Sequence, residues 1–557
     1  MQKNYALNEV TKINSINELL EIALKEAGDK IAFKYKVKDT VKEVTYKEFQ
    51  NDTIYLGTAL HSLGITESHV AVIGENSYNW LTVYLTILKS NSVIVPVDKE
   101  LPTPDIINVL AHSDSEVLFY AKKFEKCIDE LKNKLPNIKY FIGFEEDKDK
   151  DKILSYKKLL EKGKKLFKSG DTSYSSIKKT DTDKLKMLVY TSGTTGMSKG
   201  VMLSEHNLVS CVYYGLQVST VYTTCLSVLP YHHTYEAVAG ILVALHHHVT
   251  ICINDNLKSV LKNLQLYKPD YIYLVPAFAE IFYKKIWTNA KESGKDKILK
   301  IMIKISNGLR KIGIDLRKTL FKSVHTAFGG NLIKIVCGGA PIRPELGKFF
   351  NDIGLNLING YGITECSPLV SANRDYFNDC STVGTVLPCC EIKFENITPE
   401  GDGEICVKGD IVMMGYYKNP ELTKEVLEDG WFRTGDYGRF NDKEQLIING
   451  RKKNLIVLEN GKNVFPEEIE NYIMGIPYIQ EVVVSGIKND IGAETGLKAE
   501  VFLNQDKIKE LEITDAQSSL KKDIAEVCKD LPVYKHIAKI VIRDNEFEKT
   551  TTNKIKR

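Results

Sequence analysis

The chain has 557 residues, 43% of them hydrophobic and 26% charged, which is typical of a globular protein with more than one domain. A net charge of +3 is too balanced for a nucleic-acid-binding protein. The polar start predicts no signal peptide, the apolar runs are too short for a transmembrane segment, and eleven cysteines without a regular spacing favour a reducing cytoplasm.

The first part of the chain alternates helical and strand-like patterns. Ile16–Ala27 is predicted as a helix, because Leu19, Leu20, Ala23 and Leu24 share one of its faces. Short buried strands are predicted at residues 70–73, 92–97 and 117–120. This alternation predicts α/β layers with largely parallel sheets.

Residues 191–200 read TSGTTGMSKG, with three glycines, five hydroxyl side chains and one lysine. Glycines let backbone N–H groups approach an anion closely, while hydroxyls and Lys199 add donors and positive charge. An apolar run precedes the segment and Ser204 is predicted to cap a following helix, so we expect a phosphate-binding loop between a strand and a helix. The position of the lysine excludes the Walker form, and a plain surface loop is the alternative.

Two later regions have patterns of their own. Residues 281–325 are basic and helical, with Ile298, Ile301, Met302 and Ile305 spaced for one apolar face, and we interpret them as a surface insertion. After residue 450 the pattern restarts with a helix that Pro466 opens, followed by strands at residues 481–487, 497–503 and 537–542 and a helix between the last two. The second region predicts a small α+β domain.

Further short motifs suit a nucleotide. In GYGITE (residues 360–365), Tyr361 can lie flat against a base, Thr364 can donate to a phosphate, and Glu365 offers the oxygen ligands that Mg²⁺ takes. In GWFRTGD (residues 430–436), Asp436 can accept both ribose hydroxyls. Taken singly, each of these motifs is also explained by an ordinary turn, and the basic end EKTTTNKIKR by a frayed tail.

Together with GGAP (residues 338–341) and GRKKN (residues 450–454), these motifs resemble, in order and separation, the adenylate-forming (ANL) superfamily of AMP-binding enzymes. LPYHHTYE (residues 229–236), the basic insertion and GYYKNPELT (residues 415–423) are most similar to long-chain fatty acyl-CoA synthetases. The resemblance implies an acyl-CoA synthetase/luciferase-like α/β fold. Residues 1–450 would form a large N-terminal domain of β-sheets flanked by helices, and residues 451–557 a small, mobile α+β C-terminal domain.

The resemblance also implies a role for each matching residue. Those expected to contact the β- and γ-phosphates of ATP are Thr191, Ser192, Gly193, Thr194, Thr195 and Lys199. Those expected to line the adenine are Gly339, Ala340, Pro341 and Tyr361. The remaining roles are Thr364 at the α-phosphate, Glu365 on Mg²⁺, Asp436 and Arg451 on the ribose, His233 near the acyl carboxylate, Lys453 as the hinge and Lys554 as the adenylation lysine. Asn454 and Asn553 depart from the residues usual beside the hinge and before the catalytic lysine.

The implied function is ATP-dependent activation of a fatty acid through an acyl adenylate, with transfer to CoA as cosubstrate and Mg²⁺ as the metal. Transfer to an acyl-carrier protein, release as the adenylate, and an inactive nucleotide-binding scaffold stay open as alternatives. The expected location is cytoplasmic, with no nucleic acid as partner, and contact with a membrane surface is left open.

Overall fold

The structure is a computed structural model that describes residues 4–178, 180–191, 198–489, 494–549 and 555–557. Five residues with predicted roles lie outside the described residues, namely Ser192, Gly193, Thr194, Thr195 and Lys554.

The helices of the described residues follow in chain order: α1 (Ile16–Ala27), α2 (Tyr46–Ser62), α3 (Tyr78–Lys89), α4 (Thr103–His112), α5 (Glu125–Lys134), α6 (Tyr156–Lys168), α7 (Glu205–Val218), α8 (Val243–His246), α9 (Val260–Tyr267), α10 (Pro276–Glu292), α11 (Asp296–Lys311), α12 (Arg317–Leu320), α13 (Lys322–Ala327), α14 (Pro344–Asp352), α15 (Pro420–Val426), α16 (Pro466–Ile473), α17 (Gln505–Glu510) and α18 (Ala516–Val527). A π-helix at Tyr235–Leu242 leads directly into α8.

The strands of the same part of the chain are β1 (Ile31–Val37), β2 (Thr40–Thr45), β3 (His69–Ile73), β4 (Val93–Val97), β5 (Ser115–Tyr120), β6 (Tyr140–Gly143), β7 (Ile153–Ser155), β8 (Leu185–Thr191), β9 (Lys199–Ser204), β10 (Thr224–Ser227), β11 (Thr250–Ile253), β12 (Tyr271–Leu274), β13 (Lys334–Cys337), β14 (Asn356–Gly362), β15 (Leu369–Ala372), β16 (Thr385–Val386), β17 (Cys390–Glu395), β18 (Gly403–Gly409), β19 (Gly415–Tyr416), β20 (Leu427–Glu428), β21 (Trp431–Phe440), β22 (Leu446–Arg451), β23 (Ile456–Val457), β24 (Asn463–Val464), β25 (Ile479–Lys488), β26 (Glu494–Leu503) and β27 (Ile537–Arg543).

Two large sheets dominate the first part of the chain. In the described residues, a nine-stranded sheet has the order β16-β15-β14-β13-β12-β10-β11-β1-β2, and an eight-stranded sheet has the order β19-β9-β8-β4-β3-β5-β6-β7. Pairing is parallel from β14 to β1 in the first sheet and from β8 to β7 in the second, and the strands outside these runs pair antiparallel. Helices cover these sheets, because parallel strands must be buried on both faces. The predicted α/β fold class, with largely parallel sheets, is confirmed.

The local predictions of the first 120 residues are also confirmed, except that Leu24 lies outside the buried face of α1. α1 has the predicted bounds, and it begins where the Ser15 side chain accepts a hydrogen bond from the Glu18 backbone N–H. Leu19, Leu20 and Ala23 are buried, whereas Leu24 is exposed. The predicted strands correspond to β3, β4 and β5.

The element that follows the glycine-rich segment differs from the prediction. Ser204 does cap α7, where its side chain and that of Asn207 form a reciprocal capping box. However, β9 lies between the segment and this helix and pairs antiparallel with β8, with Thr191 opposite Lys199. The prediction that the glycine-rich segment leads from a strand directly into a helix was therefore wrong in its last step, since a second strand precedes the helix. Val201 and Leu203 alternate as buried side chains, which is the pattern of a short strand.

The rest of the chain contains two smaller antiparallel or mixed units. A five-stranded sheet of β17, β18, β20, β21 and β22 stands beside the large sheets. β25, β26 and β27 form a three-stranded sheet that packs with α16 and α18 around a buried cluster of its own, from Ile456 to Leu531. This is the predicted helix-and-strand pattern of the last hundred residues, with α17 and α18 both between β26 and β27.

The predicted basic helical region is present as α10, α11, α12 and α13. Its predicted apolar face is not the face that packs inward, since Ile298, Ile301 and Ile305 are exposed while Leu299 is buried. No helix in the described part of the chain is long and apolar enough to span a membrane.

Two helical glycines provide a matched test of close helix packing. A Cβ at Gly163 of α6 would lie 1.8 Å from the Tyr55 carbonyl oxygen of α2, whereas a Cβ at Gly308 of α11 would meet no atom within 4 Å. We expect Gly163→Ala to lower the free energy of unfolding by roughly 1–3 kcal/mol, because backbone cannot yield as a side chain does. Gly308→Ala should raise it by up to about 1 kcal/mol through helix propensity. Urea unfolding followed by circular dichroism measures both, and equal shifts would contradict the packing described.

Candidate active site

The carboxyl ends of the parallel strands β12, β13 and β14 meet at one edge of the nine-stranded sheet. The GGAP segment follows β13 there, with Gly339 at φ +82, a left-handed conformation that favours glycine. The Tyr235 hydroxyl donates to the Val336 carbonyl at 3.2 Å. A Cβ at Gly338 would lie 3.3 Å from the Gly360 carbonyl. The structure therefore brings the GGAP, GYGITE and LPYHHTYE motifs to the same strand ends, where open α/β sheets bind ligands.

A buried carboxylate, Asp436, is joined to two of the predicted nucleotide residues. The Tyr361 hydroxyl donates to Asp436 Oδ2 at 2.6 Å, and Arg451 Nε lies 2.8 Å from Oδ1. Burial, and next the Asp436 charge, raise the pKa of Tyr361 well above its usual value, so the phenol stays neutral and donates. β14, β21 and β22 supply one residue each, and Asp436 pairs with Arg451 in the register of the last two strands.

A second contact chain connects Glu365 to the glycine-rich segment. The Tyr416 hydroxyl donates to Glu365 Oε1 at 2.9 Å, and Lys199 Nζ lies 5.4 Å from the centre of the same tyrosine ring. Glu365 and Thr364 are half-buried in a single helical turn that follows β14. A half-buried carboxylate and a lysine that contact the same tyrosine suit a phosphate with its metal ion.

Two histidines precede the π-helix. His233 is half-buried, and its ring centre lies 4.2 Å from that of His232. His232 Nε2 is 3.3 Å from an Asp98 carboxylate oxygen. Burial, followed by the His233 and Lys99 charges, holds the pKa of His232 well below its usual value, so this ring is neutral near pH 7.

The neighbouring Glu236 is a fully buried acid inside the π-helix. Its Oε1 accepts a hydrogen bond from the Ser227 hydroxyl, whereas Oε2 has no hydrogen-bond partner among the described residues. Burial raises the pKa of Glu236 to about 8, against smaller opposing effects of Ser227 and the Leu229 backbone. The side chain is therefore mostly protonated at neutral pH.

The other predicted residues of the described chain lie at the ends of strands or in the turns that follow strands. Thr191 and Lys199 are the last ladder pair of β8 and β9. Gly339, Ala340 and Pro341 are exposed, and so is Lys453, in the turn at Lys452–Asn454 that follows Arg451. No group of three or more His, Cys, Asp and Glu side chains that could hold a metal occurs in the part of the chain that the structure describes.

Two site residues had no predicted role. Tyr416 lies in the GYYKNPELT segment and contacts both Glu365 and Lys199, and Tyr235 lies in LPYHHTYE and contacts the end of β13. Both tyrosines stand in segments quoted for the resemblance. The sequence offers no signal for their partners, which come from 51 and 101 positions away.

Comparison with known proteins decides the family. The model of the AMP-binding enzyme family matches residues 20–417, and the model of the AMP-binding enzyme C-terminal domain matches residues 453–557. The chain belongs to the AMP-binding enzyme family. It is an adenylate-forming enzyme, and the predicted superfamily is confirmed.

This AMP-binding enzyme has curated relatives along most of its length. It is 29% identical over 497 residues to the long-chain-fatty-acid–CoA ligase FadD15 of Mycobacterium bovis, covering 85% of this chain and 80% of the relative. It is 28% identical over 552 residues to the chloroplastic long-chain-fatty-acid–[acyl-carrier-protein] ligase AEE15 of Arabidopsis thaliana, covering 85% and 74%.

Among solved structures, the enzyme is similar to the anthranilate CoA ligase AuaEII in complex with anthranoyl-AMP. The TM-score is 0.76 at 18% identity, and the match covers 98% of this chain and 96% of that chain. This likeness supports the fold, including the large N-terminal part and the smaller C-terminal part.

The buried acid of the π-helix generates a pH prediction. A carboxyl group has an unfolded pKa near 4.5 and a folded pKa of about 8 here, so the folded state binds the extra proton and stability falls as pH rises through this interval. Between these pH values the wild type should lose on the order of a few kcal/mol of unfolding free energy. Glu236→Gln cannot ionise, so we expect the variant not to show this loss. Urea unfolding curves of both proteins across the interval measure this difference. Parallel pH dependences would contradict the protonated state of Glu236.

Proposed function

We propose that this enzyme activates a fatty acid with ATP through an acyl adenylate and transfers the acyl group to CoA, giving acyl-CoA, AMP and pyrophosphate. One observation carries the proposal. Two contact chains, Tyr361–Asp436–Arg451 and Glu365–Tyr416–Lys199, start from the two ends of one short motif and reach the ribose and phosphate motifs of the sequence. The names of the long-chain-fatty-acid–CoA ligase relatives support the choice of acid and acceptor.

In the first step, a carboxylate oxygen attacks the α-phosphorus of ATP, and pyrophosphate leaves with the bonding electrons. A carboxylate oxygen is a poor leaving group, whereas the phosphate ester of the acyl adenylate departs readily. Catalysis of this kind depends on positioning and on charge neutralisation. We assign Lys199 to the β- and γ-phosphates together with Thr191, Ser192, Gly193, Thr194 and Thr195. Thr364 would contact the α-phosphate and His233 the acyl carboxylate.

The nucleoside would be held at the strand ends. Asp436 and Arg451 would bind the ribose hydroxyls, and Gly339, Ala340, Pro341 and Tyr361 would line the adenine. Because Asp436 is already paired with Arg451 and Tyr361, its charge is fixed in place before the nucleotide arrives, which lowers the cost of ordering the site. Glu365 would hold Mg²⁺, which when bound neutralises phosphate charge.

In the second step, the CoA sulfur attacks the acyl carbon, AMP leaves with the bonding electrons, and the thiol proton passes to solvent. The attack needs a route for the pantetheine arm, so we propose that residues 451–557 turn as a mobile domain about Lys453. Lys554 would bridge carboxylate and α-phosphate only while the adenylate forms. Directly beside the proposed hinge, Lys452 Nζ lies 2.6 Å from a Glu404 carboxylate oxygen, so this ion pair ties the start of the hinge to β18.

An acyl-carrier protein is the second candidate acceptor, because AEE15 is named for it. The first step is the same for both acceptors, so the acceptor must be tested separately. An inactive scaffold is the non-enzymatic alternative, and carboxylate-dependent ATP–pyrophosphate exchange tests it. A cytoplasmic location stays a prediction.

The substrate prediction concerns chain length. We expect kcat/KM for dodecanoate or palmitate to exceed that for acetate or benzoate, because each buried methylene adds about 1–3 kcal/mol of discrimination. The measurement is AMP release across a panel of acids, with CoA and with a carrier protein as acceptors. Faster turnover of acetate or benzoate would contradict the fatty-acid assignment, and thioester formation only on carrier protein would select the second candidate.

The metal prediction concerns Glu365. We expect Glu365→Gln to lower Mg²⁺-dependent turnover by roughly a hundredfold or more, because a neutral amide does not replace a carboxylate on a hard cation. Tyr416→Phe is the matched control, since it removes the hydrogen bond to Glu365 but keeps the carboxylate. It should retain turnover at saturating Mg²⁺. Near-normal AMP release by Glu365→Gln would show that the metal ligand lies elsewhere.

A further inference from the structure

Helix α11 has two different apolar faces. Leu299 and Ser306 are buried, and Met302 and Ile303 pack against the hydrophobic cluster beneath the helix. On another side, Ile298, Ile301 and Ile305 are 52%, 56% and 52% exposed. The inner face accounts for the attachment of the helix to the body of the protein, so the exposed isoleucines contribute little to folding.

The exposed isoleucines continue beyond the helix. Ile312, which follows the last helical residue, is 71% exposed and lies fourteen positions, or four turns, after Ile298. We call the four residues Ile298, Ile301, Ile305 and Ile312 the isoleucine stripe.

A row of lysines runs along the stripe. Each isoleucine of the stripe is preceded directly by an exposed lysine, and these are Lys297, Lys300, Lys304 and Lys311. One residue is a rotation of about 100° on a helix, so the lysines form a parallel row on one flank of the stripe. The other flank of the stripe adjoins the buried face.

The surrounding region concentrates the positive charge of the chain. Residues 281–325 contain twelve lysines and arginines against three aspartates and glutamates, a net charge of +9, whereas the whole chain carries +3. The remainder of the chain is therefore net negative. A field of one sign around an exposed apolar stripe attracts a surface of the opposite sign.

We propose that the isoleucine stripe and its lysine row dock on the surface of an anionic phospholipid bilayer. The isoleucines would enter the boundary between headgroups and acyl chains, and the lysines would contact the phosphates, with the helix axis parallel to the surface. At 1.5 Å per residue, the sixteen residues of α11 make a contact about 24 Å long. The charge complementarity of the lysine row selects an anionic surface over a neutral one.

The proposal does not depend on the proposed function, because vesicle binding is measured without substrate. The chain supplies its own control in α6, which carries exposed Lys157, Lys158 and Lys162. No large hydrophobic side chain of this fully described helix is exposed. If substitutions in α11 weaken vesicle binding and those in α6 do not, binding depends on the isoleucine stripe with its lysine row and not on basic residues in general.

The experiment is co-sedimentation of the full chain with vesicles of phosphatidylcholine alone or mixed with phosphatidylglycerol. Wild type should bind the mixed vesicles, bind the neutral vesicles much more weakly, and lose binding as salt rises. The triple variants Ile298→Ser/Ile301→Ser/Ile305→Ser and Lys297→Gln/Lys304→Gln/Lys311→Gln should each weaken binding by at least about tenfold. Lys157→Gln/Lys158→Gln/Lys162→Gln should bind as wild type does. Circular dichroism and the urea midpoint verify that each variant is folded.

Three outcomes would overturn the proposal. They are absence of wild-type binding to the mixed vesicles, unchanged binding of the isoleucine variant, and an equal loss in the α6 variant. Light scattering without vesicles tests a second copy as the occupant. A wild-type dimer that the isoleucine variant lacks, with vesicle binding unchanged, would assign the stripe to self-association instead.

Discussion

The site depends on one buried charge. Asp436 lies beneath the surface, where an unpaired carboxylate would cost several kcal/mol, and the Tyr361 hydroxyl and the Arg451 guanidinium compensate it. These partners come from β14 of the nine-stranded sheet and β22 of the five-stranded sheet. The hydrogen bond from Tyr361 to Asp436 therefore links the two sheets, and the ion pair with Arg451 holds the same carboxylate within the five-stranded sheet.

Local features of the fold could be predicted because their causes are local. The Ser15 cap and the spacing of Leu19, Leu20 and Ala23 determine α1, and continuous apolar runs determine β3, β4 and β5. Strand β9 was missed, because its six residues include only two buried hydrophobic side chains, Val201 and Leu203, which give a weak pattern beside a strong helix cap. The missed strand shows that a capping signal determines where a helix begins but not which element precedes it.

The candidate site was predictable in part, for a different reason. Motif order selected Asp436, Arg451 and Glu365, which the structure places in the two contact chains, because those residues are embedded in recognisable segments. Tyr416 and Tyr235 were missed, since their importance lies in partners that only the folded chain brings near. The exposed side of α11 was also missed, because helical spacing reports that residues share a face and not whether a neighbour covers it.

The antiparallel hairpin of β8 and β9 has a consequence for how this region can change in length. Side chains alternate along a strand, so one residue added or removed within β9 would turn Lys199 away from Tyr416 and move Val201 and Leu203 out of the core. The strand that carries the lysine therefore cannot change its number of residues without losing both the contact of Lys199 with Tyr416 and the packing of Val201 and Leu203.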